Sequence, residues 1–273
     1  MNRTFNRQGL PTSRMKTKLR ILALFCAWPL PASAQTADDI VRKYVEARGG
    51  AAKLKAVESE RISGRISFRP GVEGSFFIEF KRPLKMHMEA TIQGQTLVRV
   101  YDGKSSGWII NPFEPSKDVQ PMSAEDLKTI SDESDFDGPL FDYQVKGNQI
   151  ELAGQDEVEG KPVYKIKLTR KTGTRRTYYI DSSSFLVLKW EGVTKQEDQE
   201  IPIENLLGDY RDVNGLKFPF EMNTGSPGTP QRRKFIIDKV EINPQIDDAR
   251  FSKPSPPAAT AVPASPPQAN APA

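Results

Sequence analysis

The sequence predicts a mainly β chain of the α+β class, built on one antiparallel sheet with short helices packed against it. Three observations lead there. Helical periodicity is confined to the residues just before Ser59 and to one later segment. Beyond Ser59, apolar residues recur at every second position instead. Turn-forming residues break that alternation at short intervals, as successive hairpins require.

Taken in order, residues 1–34 stand apart. Arg3, Arg7, Arg14, Lys16, Lys18 and Arg20 precede an apolar run at 21–28, a Pro29-Leu30-Pro31 break and the small residues Ala32-Ser33-Ala34. This is the layout of a cleaved secretory signal, with Met15 an alternative start. The apolar run is too short to span a bilayer, which takes about 20 residues. The expected folded domain occupies 35–253. Thr36 is placed to cap a helix at 37–48, with Asp38 and Asp39 in its first turn and Ile40, Val41, Tyr44 and Val45 along one face. Gly49-Gly50 closes that helix, and a shorter one carrying Leu54 and Val57 follows.

Strands are predicted at 61–68, 74–81, 84–92, 95–101 and 107–110. They end in turn at Pro70-Gly71, Pro83, Gly94, Asp102-Gly103 and Asn111-Pro112. A helix from Ser123 to about Glu133 interrupts the series, opened by a capping box of Ser123 and Asp126. Strands resume at 149–153, 162–170, 174–180, 185–190, 202–209, 216–222 and 233–242. Residues 254–273 are almost wholly Pro, Ala, Ser, Gln and Thr, a composition that cannot bury a core and is expected to stay disordered.

The alternation fixes faces. Phe76, Ile78 and Phe80 oppose Ser75, Phe77, Glu79 and Lys81, while Met86, Met88 and Ala90 oppose Lys85, His87 and Glu89. Tyr164, Ile166 and Leu168 oppose Lys165, Lys167 and Thr169. Such patterning predicts a sheet with one dry and one wet face. The three helices are the expected cover for the dry face, with the sheet curved around them.

Charge excludes one function class. The whole chain carries 39 Lys and Arg against 35 Asp and Glu. Six of those cations leave with the predicted signal, so the remaining chain is close to −2 and is not equipped to bind nucleic acid. The single cysteine, Cys26, leaves too, which removes disulfides and thiol chemistry. A Gly-x-Ser-x-Gly at 103–107 lacks the following helix and the later histidine that a hydrolase needs. His87, the only histidine, alternates with Lys85 and Glu89 and reads as a surface residue of a strand. Asp132, Asp135 and Asp137 lack calcium-loop spacing and read as a solvated acidic loop. The basic residues Arg170, Lys171, Arg175 and Arg176 flank Thr172-Gly173 and read as a hairpin tip. No catalytic set, metal site or cofactor motif emerges, and the chain is expected not to be an enzyme.

One resemblance is visible. Lys81-Arg82-Pro83, then Met86-His87-Met88, then Asp102-Gly103-Lys104 with Trp108 and Asn111-Pro112-Phe113 are similar in order and spacing to the LolA/LolB-type periplasmic carriers of outer-membrane lipoproteins. The terminal Ala249-Arg250-Phe251-Ser252-Lys253-Pro254 is similar to the closing segment of that family. The likeness is good over 37–113 and general afterwards. It implies an unclosed, strongly curved antiparallel β-barrel capped by short helices, whose hollow takes acyl chains. It assigns Arg82 the role of latch, bonding helix carbonyls to hold a lid shut, and puts Met86 and Met88 in the hollow, where flexible thioethers suit variable chains. Phe76, Ile78, Phe80, Trp108, Ile110, Tyr164, Ile166 and Leu168 complete the expected cavity lining.

The resulting expectation is a soluble, monomeric periplasmic carrier of acylated lipoprotein or lipid. It would take cargo from an inner-membrane donor and pass it to an outer-membrane acceptor. An envelope sensor or scaffold that uses the same fold to bind a protein partner is the alternative.

Overall fold

The computed structural model describes residues 35–69, 71–196 and 199–254, together with the isolated positions Met1 and Gly9. The rest of the predicted signal, Cys26 included, and the tail from 255 lie outside the described residues. Among the described residues the chain is mainly β, as predicted. The helices are α1 (Ala37–Ala47), α2 (Ala51–Lys55) and α3 (Ala124–Glu133). The first strands are β1 (Ser59–Arg69), β2 (Val72–Lys81), β3 (Lys85–Ile92), β4 (Gln95–Tyr101), β5 (Gly107–Ile110) and β6 (Gln120–Pro121). After α3 come β7 (Gln149–Val158), β8 (Lys161–Thr169), β9 (Arg175–Asp181), β10 (Val187–Gln196), β11 (Gln199–Val213), β12 (Leu216–Gly225) and β13 (Arg232–Ile242). A 3-10 turn, Asp248–Phe251, follows β13.

Sequence chemistry accounts for the helix starts. The Thr36 and Ser123 hydroxyls accept from the backbone N–H of Asp39 and Asp126, and each aspartate returns a bond to its cap. Each box satisfies donors that the first helical turn would otherwise leave unpaired. Ile40, Val41 and Tyr44 of α1 are buried on one face.

The strands form one antiparallel sheet in the order β6-β5-β4-β3-β2-β1-β13-β12-β11-β10-β9-β8-β7. Pairing of β1 with β13 joins the two runs of hairpins, and β6 and β7 are left as unpaired edges. The sheet is strongly curved and unclosed, and the segment linking its two edges carries α3. Its inner face is apolar and is covered by the helices. Ile166, Leu168, Tyr178 and Ile180 pack under α1. Leu216, Phe218, Phe220 and Val240 pack with Leu54, Val57 and Phe141. Phe80, Met86 and Tyr101 pack with Ile130 of α3.

The outer face departs from the wet surface predicted for it. Glu79 and His87 are only 2 % and 5 % exposed. The C-terminal segment lies across β2 and β3 there, with Ile246 and Phe251 buried. Beneath it Glu79 binds both Arg61 and Arg250, at 2.9 and 2.8 Å, and Arg250 also reaches Glu89. The His87 ring lies 2.7 Å from both the Arg250 carbonyl and the Glu89 carboxylate. Glu79 and His87 therefore face a strap of the same chain and not water, while Ser75 and Lys167 on the same kind of alternation stay exposed as predicted.

Candidate functional site

Cross-strand register orders the inner face into rows. Ile242, Glu60, Phe80, Met86 and Tyr101 form the row nearest the helices. Val240, Ile62, Ile78, Met88, Arg99 and Ile109 form the next, and Ile237, Gly64, Phe76, Ala90 and Leu97 the one beyond. Phe235, Met222 and Leu207 lie a further step out. Exposure is mixed along this series, with Phe76 and Ile66 buried among half-buried neighbours. Phe80 and Met86 are buried under α3, whereas Ile62, Ile78, Met88, Ile237, Phe235, Met222 and Leu207 are half-buried. Gly64 keeps the band open for aromatic packing: a Cβ there would sit 2.8 Å from the Phe76 ring, which meets Phe235 edge-on. The result is an apolar concave band that the helices cover only in part.

The cover is fastened by charge. Arg82, at the start of the β2–β3 turn, donates to the Val57 carbonyl at 2.6 Å and the Leu54 carbonyl at 3.1 Å, tying down the end of α2. Both terminal nitrogens of its guanidinium also meet Asp137, at 2.8 and 2.9 Å. Such a two-point fork is among the stronger polar contacts. From the other side of the sheet, Arg170 approaches Asp135 at 3.4 Å and Asp132 at 3.7 Å, and Lys146 pairs with Asp135. Thr172 donates to Asp132. The stretch 132–137 is thus a clasp across the gap between the sheet's two runs of strands, and not the solvated acidic loop that its composition predicted. Arg170 stands at the base of the β8–β9 hairpin tip, as predicted, but is only 8 % exposed.

A buried acid lies beneath this clasp. Glu60 is 4 % exposed on the inner face. Burial pushes its pKa up to about 8, outweighing the pull of Arg48; Asp137 raises it further and Arg82 opposes. Near neutral pH this carboxyl is largely protonated, which suits an apolar surround.

The residues predicted as cavity lining divide into three groups. Phe76, Ile78, Phe80, Met86 and Met88 are brought together on the inner face. Ile166 and Leu168 are 0 % and 1 % exposed in the core under α1, with Tyr164 stacked on Phe185 beside them. Trp108 and Ile110 are a correction: Trp108 pairs with Val100 and Ile110 with Val98, in the rows of His87 and Glu89, which puts both on the outer face. Ile110 lines a recess of about 580 Å³ under the C-terminal strap. Ile109 holds the inward position instead. The short strand β5 offered too few alternations to fix its own phase. Sequence reasoning also missed Phe235 and Ile237, because a β-bulge shifts the register between β1 and β13. Nothing in the sequence marked Asp137 as the partner of a residue 55 positions earlier.

The Gly-x-Ser-x-Gly stretch is a loop between strands, as its context predicted. Asp102 Oδ1 accepts from the backbone N–H groups of Lys104, Ser105 and Ser106. Among the described residues no cluster of three or more His, Cys, Asp and Glu is placed to hold a metal ion, and no helix is long and apolar enough to cross a membrane.

No protein-family profile and no curated protein matches the sequence. Solved structures do match. A DUF1329 family protein from Desulfovibrio piger aligns over 80 % of this chain and 98 % of its own, with a TM-score of 0.53 at 14 % identity. A putative outer membrane lipoprotein-sorting protein domain from Vibrio parahaemolyticus aligns over 79 % and 95 %, at 0.51 and 8 %. A LolA superfamily protein from Nitrosomonas europaea aligns over 81 % and 99 %, at 0.51 and 13 %. The chain therefore has a LolA-like fold.

Proposed function

We propose that this chain is a periplasmic carrier that holds the acyl chains of a lipoprotein or lipid between its concave sheet and its helices, on the way to the outer membrane. The observation that carries the reading is the half-buried apolar band beside a cover fastened by the Arg82 fork and a few further ion pairs. A packed core needs no such exposed continuation, whereas an acyl chain needs that kind of surface. The LolA-like fold supports the same reading, and the leader-like residues 1–34 support export. The chain acts in this reading by binding, without catalysis.

Burying one methylene is worth about 0.8 kcal/mol, so a chain of about twelve gains roughly 10 kcal/mol over water. A bilayer offers nearly the same. Transfer between membrane and protein is then close to balanced, and smaller terms such as the Arg82 contacts set its direction.

Protein isolated gently from its own envelope and extracted with solvent should yield stoichiometric lipid or acylated protein. In solution, a fluorescent fatty-acid probe should bind, and Met88→Gln should weaken it about tenfold, since a buried amide without partners costs about 1–3 kcal/mol. Arg82→Leu should release bound probe faster by a similar factor, because it leaves Asp137 unpaired and frees the end of α2. An extract free of lipid together with no probe binding would eliminate the carrier. A protein partner recovered in place of lipid would favour the sensor or scaffold role.

A further inference from the structure

Beyond Leu207, Met222 and Phe235 the inner face changes chemistry. Trp190, Asn205, Thr224 and Arg233 form a single cross-strand row over β10, β11, β12 and β13. This row opens into a groove of about 430 Å³ at the end of the sheet away from the helices, walled by Phe68, Ile201 and Ile203. Arg232 and Arg233 line it, and among the described residues no carboxylate does. Arg232 is already paired with Glu204, whereas Arg233 is exposed and has no ion pair among the described residues.

Asn205 lies behind the groove wall, in the same register row as the lining residues Thr224 and Arg233 and hydrogen-bonded to Thr224. It is 3 % exposed, and its amide nitrogen has no hydrogen-bond partner among the described residues. Whichever way the amide is turned, Thr224 satisfies one of its polar atoms and the other stays bare. Buried polar groups are almost always paired, so an orphan beside a groove points to a ligand atom.

We propose that this groove is the headgroup subsite of the acyl-binding face and takes a phosphate-bearing amphiphile. The phosphate would lie against Arg233, Asn205 and the Ser226 hydroxyl, with the alkyl chain running inward over Met222 and Phe235. A guanidinium suits the geometry of phosphate oxygens, and a phosphate brings more acceptors to these donors than a carboxylate does. The inference rests on the carrier reading and adds the class of headgroup to it.

Calorimetric titration of the protein, purified from cells expressing the whole chain, with three probes tests it. These are dodecyl phosphate, a neutral dodecyl glucoside below its micelle concentration, and inorganic phosphate. Dodecyl phosphate should bind at least about tenfold more tightly than the glucoside, a charge-assisted contribution. Arg233→Gln, at an exposed position, should bring the two to near parity while the glucoside affinity stays unchanged. Asn205→Ala should narrow the gap in the same way. Equal wild-type affinity for the two amphiphiles would overturn the headgroup subsite and leave the carrier reading intact. Inorganic phosphate binding as tightly as dodecyl phosphate would show a site for the free anion and overturn the amphiphile. Binding of none of the three would remove both the subsite and the carrier.

Discussion

Glu60 shows how one residue ties the cover to pH. Its carboxyl lies in the row of Phe80 and Met86, and its pKa rises to about 8 from an ordinary 4.5. The native state therefore keeps a proton that the unfolded chain gives up. The stabilisation this provides is complete below about pH 4.5 and is lost as pH climbs towards 8, by a few kcal/mol in total. Arg48 and Asp137 face it most strongly, with Arg82 a smaller influence. Glu60→Gln fixes the neutral form, so the variant should unfold at a higher urea concentration than the parent at pH 9, by about 2 kcal/mol or more, and match it near pH 4.5. Parallel pH profiles for the two proteins would show that the carboxyl stays ionised where it is. Legibility at this scale was uneven. Arg82 was singled out because a resemblance implied contacts with helix carbonyls, whereas Glu60 stands in an ordinary-looking Ser-Glu-Arg stretch, and only a three-dimensional cover makes it unusual.

At the scale of elements, the alternating strands were legible because each carries its own evidence. In β2 and β3, apolar side chains at every second position leave one register that buries them all. The two-residue strand β6 is too short to show a period, and the strap at 245–254 has none to show. Its sequence mixes charge with isolated apolar residues, and its partners lie more than 160 positions earlier. Energetics decide which of its contacts matter. The Asp248 pairs with Lys81 and Lys85 and the Arg250 pair with Glu89 sit at partly exposed positions, where such bridges are worth about 0–1 kcal/mol. Phe251, 2 % exposed, buries a whole ring. Phe251→Ala should therefore cost roughly 3–5 kcal/mol in urea unfolding. Asp248→Ala should cost well under about 1 kcal/mol. If the two variants lose similar stability, the strap is held by its charges and the apolar account is wrong.

Across the whole molecule, the proposed carrier role asks the same helices both to complete a core and to admit a guest. The core under α1 is dense, with Ile40, Ile166 and Ile180 fully buried, so movement there would sacrifice apolar burial. α2 and α3 each bury one core side chain, Leu54 and Ile130, and add exchangeable pairs to it: Arg82 with two carbonyls and Asp137, Arg99 with Glu133, and Arg170 with the acidic stretch. Opening is therefore expected on the α3 side, with α1 left in place. That division could not be read from sequence, since the ion pairs that fasten α2 and α3 join residues far apart in the chain. A reversible tether tests it. The described residues contain no cysteine, so Arg99→Cys with Glu133→Cys provides a unique pair where β4 meets α3 at 2.8 Å between the native side chains. Bridged by a short bis-methanethiosulfonate, the protein should take up a fluorescent fatty-acid probe roughly tenfold more slowly or worse, as expected when access requires a conformational step. Dithiothreitol, by cutting the bridge, should restore the rate. Uptake at full speed by the bridged protein would mean that the guest enters over the open rows of Met222 and Phe235 without any movement of α3, and the clasp at 132–137 would then serve stability alone.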